Sequence, residues 1–495
     1  MRLVLAAVLL SAAAAVHASG DIRMRLSRRF PACRGTLEGA YAGDEWSFLD
    51  RVRFADGPLE GVLLLDKDRG ERWVDLVSGG LSFSPSGDDG AVVLAGWLEA
   101  TLGSGMVLAH PGAWSGSDPS TWSKPPSPRG RLRLASGSWS ADGNGLTGVA
   151  GRFQVGGTAV ELLQGVSWID PSEGGCHRTA GELESKGTVR EVLSALRVSG
   201  GGLGVTAAAG WERDGGSVDW QRAGADLQVR LGSLDISGEG AVGLLEGRAS
   251  LAWKGSLSQD LSRWRHSLTV FGVPDSFPSG RSSPPAGVGP GPGLRYGFRW
   301  KALTGTTLSA GASAGFGGEG GLVLSAGVEH RFGSGAAGRL GFRRSDDGDG
   351  TGSRLLGAFT WEPGNDLSLT GRVQLTAWRS GDSSEAGGAV ELRMRCPVTG
   401  WLRLGAGAAA FSTDGYDSRV YAAEIAFPGE FGSAVLYGRG FMLQAAVSVH
   451  LRESLDLRSR ITWETKEDVD RMGSGWEETA GRERTCAGLQ LDYGF

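Results

Sequence analysis

The chain has 495 residues, 84 of them Gly and 18 Pro, with 17 Trp and 17 Phe; it lacks collagen's three-residue period and is too aromatic for a disordered linker. A formal charge of -5 is too small to name a partner, and none of the four cysteines has the C-x-x-C spacing of a zinc or thioredoxin-like site. Two soluble domains are the default at this length, but no linker or composition break divides the pattern, so one large closed sheet fits better.

Residues 1–18, M-R-L-V-L-A-A-V-L-L-S-A-A-A-A-V-H-A, combine one Arg, a short apolar run and an A-x-A-like end, which predicts a secretory signal cut after Ala18. No later stretch is long and apolar enough for a membrane helix, so a membrane protein made of this chain must cross with strands. A mean hydropathy of -0.13 agrees, because alternating strands average out. Residues 19–495 are therefore expected to form a single domain, an all-β, antiparallel, up-and-down transmembrane β-barrel.

From Ile22 to His110 the pattern gives four to six strands, and from Arg131 onward about twenty-two. The expected total is near twenty-six, within a range of about 24 to 28. Two long segments interrupt it. The first, 101–130, is rich in Pro, Ser and Trp and is compatible with a loop folded into the lumen; the second, 273–293, is Pro/Gly-rich and falls on the outer side.

The second half alternates most clearly. Leu367, Leu369, Val373, Leu375 and Ala377 oppose Ser368, Thr370, Arg372, Gln374 and Thr376; Phe441, Leu443, Ala445, Val447, Val449 and Leu451 oppose Met442, Gln444, Ser448 and His450. Tight turns are expected at 333–338, 362–366, 397–400, 428–430 and 452–454, and polar, mostly acidic outer loops at 344–352, 380–386, 412–418 and 466–481. Gly-Asp loops such as 348–352 suit calcium and solvated turns equally well.

The same phase rule sends Arg295, Arg299, Lys301, Arg339, Arg343, Arg372, Arg393, Arg395, Arg403, Arg458 and Arg460 inward, against Glu391, Glu424, Asp456 and Asp492. A charge facing lipid at mid-depth costs about 2 to 4 kcal/mol, which forces this assignment for most of them. A lumen richer in Arg than in carboxylate favours anions or polyanions; alternatively the arginines fill a polar interior and anchor a plug. His330 follows the lipid-facing phase and His450 the lumen phase, neither with a Ser or carboxylate at triad spacing. No nucleotide, zinc-protease or calcium-loop motif is present, so no cofactor, no metal and no enzymatic activity are expected. Cys33 with Cys176 is the one bridge considered.

The chain ends R-E-R-T-C-A-G-L-Q-L-D-Y-G-F, with Leu489, Leu491, Tyr493 and Phe495 on one face. This resembles the closing strand by which bacterial outer-membrane β-barrels are recognised by their assembly machinery, and it implies location in the outer membrane; a soluble edge strand is the plainer alternative. A second resemblance lies nearer the N-terminus, in 35–54, in the run Lys67-Asp68-Arg69-Gly70-Glu71, and in 95–109. It is similar to the start of the barrel region in outer-membrane proteins that carry a helix-hairpin-helix domain. Gly96 is followed here by Trp97 and Leu98, and Gly103 and Gly105 flank Ser104 where that family tends to have Gln. No helix-hairpin-helix fits between Ala18 and Ile22, which weakens the link to DNA handling that the resemblance implies.

The expected function is transport or conduction, with anionic solute or nucleic acid as candidate cargo. The expected partners are membrane lipid and the assembly machinery, with no stable soluble partner. A structural barrel that conducts nothing is the alternative, and a barrel enzyme a more distant one.

Overall fold

The computed structural model describes residues 18–74, 76–85, 90–109, 131–135, 146–169, 178–185, 189–213, 220–245, 247–278, 291–316, 320–333, 335–346, 348–364, 367–430, 432–467 and 469–495. The candidate signal up to residue 17, His110, Cys176 and His177 fall outside them, as do most of the two long segments.

The main sheet holds 25 strands, of which Arg131–Leu134 pairs only with Val92–Thr101 and stands outside the ring. The other 24 pair antiparallel, each with its sequence neighbours along the ring, and the sheet closes where Ser19–Phe30 meets Glu483–Gly494. The protein is thus an all-β transmembrane barrel of the outer-membrane type. Most wall strands run 10 to 15 residues, as in Val92–Thr101 and Ser383–Pro397, long enough for a tilted span. Alternation produces the two faces: in Leu367–Ser380, Val373 and Leu375 are 46% and 51% exposed to the lipid side while Gln374 between them is 1% exposed.

An even strand number puts both chain ends at the same end of the barrel. That end carries the short turns, such as Gly57-Pro58, Gly232-Ser233 and Glu453-Ser454. In outer-membrane barrels the short-turn end faces the periplasm.

Three expectations change. The strand total falls from about twenty-six to 24, because the segment between Leu402–Thr413 and Arg439–Arg452 contributes no wall strands. Those two strands pair directly with each other, and the intervening hairpin, Val420–Ala423 with Ser433–Leu436, is a separate two-stranded sheet. The expected tight turn at 428–430 is therefore part of that hairpin's tip. The expected acidic loop at 380–386 shrinks to the turn Gly381-Asp382, since pairing resumes at Ser380 and Ser383.

One wall contact is incomplete. Leu76–Phe83 pairs with Val92–Thr101 only from Gly80 to Phe83, and further out Arg131–Leu134 takes its place. The strands part at Gly96, whose φ of +117° and whose 2.2 Å approach from an added Cβ to the Gly79 carbonyl admit no other residue without strain.

Candidate functional site in the barrel lumen

The lumen is not an open tube. Inward-facing side chains hold two inserted segments and leave polar cavities between them and the wall.

The first insertion follows Val92–Thr101. Residues Leu102, Met106, Val107, Leu108 and Ala109 are almost fully buried, packed on inward-facing Leu98, Leu146, Leu193, Trp220, Ala241 and Ala252. The turn closes on itself through Leu102 N–H to the Leu108 carbonyl at 2.9 Å. It is pinned from the wall: Ser104 Oγ donates to Glu239, Met106 N–H points at the same carboxylate at 3.2 Å, and Lys254 Nζ donates to the Ser104 carbonyl at 2.7 Å. Arg222 donates to the Val107 carbonyl at 3.0 Å and lies over the Trp220 ring. Beside it Arg197 joins Asp226 and Glu161 in a buried cluster. Phe277, after the strand ending at Val273, closes the apolar part. An apolar patch inside a barrel was not read from the sequence, although the run M-V-L-A at 106–109 carried it.

The second insertion is the hairpin. Val420, Ala422 and Leu436 pack on inward-facing Ala389, Ala409, Phe411 and Met442. Its backbone takes bonds from the wall, with Ala423 N–H to Glu391 at 3.2 Å and Ile425 N–H to Gln444 at 2.6 Å. At its tip the Pro428 carbonyl accepts from Arg23 at 2.7 Å and Arg25 at 3.0 Å, both on the first strand. Arg460 reaches Glu430 at 2.8 Å and stacks over Phe427.

The arginines assigned inward by phase now fall into groups. Arg393 pairs with Glu391 at 2.7 Å and Arg372 approaches it at 3.7 Å. Arg458 bridges Asp456 and Asp492, and Arg460 binds the hairpin. The expectation of a wall with little carboxylate to cancel it is thus corrected for these positions: cross-strand registers such as Arg458 beside Gln490 and Asp456 beside Asp492 bring acids from neighbouring strands. Glu424 belongs to the hairpin, not the wall. Arg295, Arg299, Arg343, Arg395 and Arg403 sit on the wall between residues 291 and 413. There the charges of Arg339, Arg354 and Arg393 act on Arg372, and Glu391 counters them.

Cavities open at the short-turn end of this sector. One, of about 530 Å³, is lined by Arg263, Arg299, Lys301 and Arg331 with Glu329. Another, of about 860 Å³, lies under the hairpin and is lined by Arg395, Arg403 and Arg458 with Glu362.

The histidine reading also changes. His450 touches Asp456 through Nδ1, because the pairing of the wall strands Arg439–Arg452 and Leu455–Lys466 places position 450 opposite 456. His330 bonds Thr306 through Nδ1 at 2.7 Å and meets the Phe332 ring edge-on. Among the described residues no group of three or more His, Cys, Asp or Glu is arranged to hold a metal. Cys33 is a buried thiol; its considered partner Cys176 is outside the described residues.

At the outer end the loops after Phe30, Ile169 and Lys466 bind one another. Glu477 receives Arg29, Arg178 and the Tyr41 hydroxyl, the last at 3.1 Å. Burial pushes the Glu477 carboxyl up, but Arg29, Arg69 and Arg178 together outweigh it and hold it below the usual carboxylate range.

No family model and no curated protein matches the chain. Solved structures do. The siderophore receptor PirA from Acinetobacter baumannii is 7% identical with a TM-score of 0.48, the match covering 97% of this chain and 80% of that one. The ferric citrate transporter FecA is 11% identical with a TM-score of 0.44, covering 97% and 79%. An anion-selective porin from Comamonas acidovorans is 11% identical with a TM-score of 0.33, covering 62% of this chain and 100% of that one.

Proposed function

We propose that this barrel is a gated conduit for anionic solutes, running along the cationic wall between residues 291 and 413. The observation that carries the reading is the cation content of that wall: Arg339, Arg354 and Arg393 all act through their charge on Arg372, which Glu391 approaches at 3.7 Å. Between low-dielectric walls such a cation content focuses the field and enriches anions. The hairpin lies against this wall, packed on Ala389, Ala409 and Phe411, so passage along it requires the hairpin's displacement.

The test is a planar-bilayer recording of the purified barrel under a KCl gradient, beside a variant in which 416–436 is replaced by a short Gly linker. The intact protein should pass small, intermittent currents and the variant large, steady ones. Both should be anion-selective, with selectivity weakening as salt screens the wall over about 10 Å at 0.1 M. Changing Arg372 and Arg393 to Glu should shift the reversal potential towards cations. Cation selectivity in the linker variant would overturn the anionic reading. The filled lumen also fits a structural barrel, and no current from either protein would favour that role.

A further inference from the structure

We infer that the cavity beneath the hairpin tip is a binding site for a small organic anion with an apolar body. The inference rests on the anionic reading above and adds the class of molecule and its place. The cavity, about 860 Å³, is of the size that holds a single small molecule.

Its chemistry is two-sided. The wall brings Arg395 from the end of Ser383–Pro397 and Arg403 from the start of Leu402–Thr413, while Glu362 is the one acidic side chain among the described lining residues. Arg458 joins them but is tied to Asp456 and Asp492, so it orders the floor more than it adds charge. The roof is apolar, made by Ile425, Ala426 and Pro428 of the hairpin. A bare inorganic anion would leave that roof in contact with water, and a neutral apolar molecule would desolvate guanidiniums without compensation. A carboxylate or sulfonate on an aromatic or aliphatic body satisfies both sides, with guanidinium donors matched to the anion.

The site also has a fixed lid. Ile425 N–H is held by Gln444 and the Pro428 carbonyl by Arg23 and Arg25, so the roof is set before a guest arrives. A guest that presses on Ile425 and Pro428 therefore pushes on the hairpin's own anchors.

The test is calorimetric titration of the full-length barrel in lipid nanodiscs, corrected against empty discs, with three probes: 2-naphthoate, 2-naphthylmethylammonium and acetate. Naphthoate should bind saturably, about tenfold or more tighter than either of the others, because only it meets both halves of the cavity. The double change Arg395→Glu with Arg403→Glu should remove that preference. Ser448→Trp, which fills the cavity from the wall without changing charge, should remove naphthoate binding, and it decides the matter if the double variant does not insert. Equal binding of naphthoate and the ammonium probe, or naphthoate binding undiminished in Ser448→Trp, would overturn the site. Anion-selective current without saturable naphthoate binding would sink this inference and leave the conduit standing; naphthoate binding in a cation-selective barrel would do the reverse.

Discussion

Arg460, on the penultimate wall strand, donates to Glu430 at the tip of the lumenal hairpin at 2.8 Å and to the Ile425 carbonyl at 3.1 Å, with its guanidinium 4.8 Å from the Phe427 ring centre. One side chain thus holds the hairpin by a charge, a backbone acceptor and a ring. Truncating Arg460 would leave the half-buried Glu430 with the more distant Arg25, at 3.8 Å, to balance its charge.

Arg460→Ala should therefore loosen the hairpin without unfolding the wall. Hydrogen exchange should rise across 414–438 and stay unchanged in the flanking strands 402–413 and 439–452. Uniform loss of protection across all three segments would show that the hairpin is structural to the barrel, not a removable insert.

The other insertion should respond to Glu239. Lys254 and Glu239 face each other at 3.7 Å inside the wall, both bound to the Ser104 turn. Glu239→Ala should cost about 3 kcal/mol, the usual penalty for orphaning a buried charge, and the double change with Lys254→Ala should cost less than the sum of the single ones. Urea unfolding in detergent measures both; strict additivity would mean the two residues do not act as a pair.

The outer-loop cluster around Glu477 should depend on pH. The folded Glu477 carboxyl titrates below its unfolded value of about 4.3, so its stabilising contribution is complete above that value and fades as pH falls through the lower folded one. Protease cutting within 467–482 should then increase below about pH 4 in the native protein and be independent of pH over that window in Glu477→Gln. A variant that keeps the acid-induced cutting would place the titrating group elsewhere.

Sidedness follows from the turns. In a background without native cysteines, Asp382→Cys should react with an impermeant maleimide on intact cells and Gly400→Cys should not. Equal labelling would break the assignment of the short-turn end to the periplasm.

Closure offers a sharper test. Gly20 and Phe495 exchange two backbone hydrogen bonds of 2.8 and 3.0 Å, and a Cβ at Gly20 would lie 2.2 Å from the Arg53 carbonyl and 2.7 Å from the Phe495 ring. Gly20→Val, like deletion of Phe495, should yield protein that is exported but never becomes heat-modifiable. Normal heat-modifiability in both would remove the seam, and with it the signal Leu489, Leu491, Tyr493 and Phe495, from any part in assembly.

The wall was legible because period two is a strong signal when one face meets lipid, as Val373 and Leu375 around Gln374 illustrate. The hairpin was misread for the same reason. Val420 and Ala422 also alternate with the less buried Tyr421 and Ala423, and a strand folded into a lumen buries one face as a wall strand does. Length was the available discriminator: four paired residues a side cannot span a bilayer. The inward phase of Arg458 and Arg460 could be read, but not their partners, since Asp492 and Glu430 come close only through register and an insertion that sequence spacing does not encode.

The hairpin tip draws its bonds from Arg23 and Arg25 near one end of the chain and from Arg460 near the other. These three stand side by side only after Ser19–Phe30 has paired with Glu483–Gly494, the last strand to emerge in synthesis. The hairpin, though complete earlier, has no finished berth until the ring is shut. Each newly assembled molecule should therefore pass through an interval in which the wall is whole and the hairpin tip still undocked, a leak along the 291–413 wall that begins with closure and ends when the tip docks.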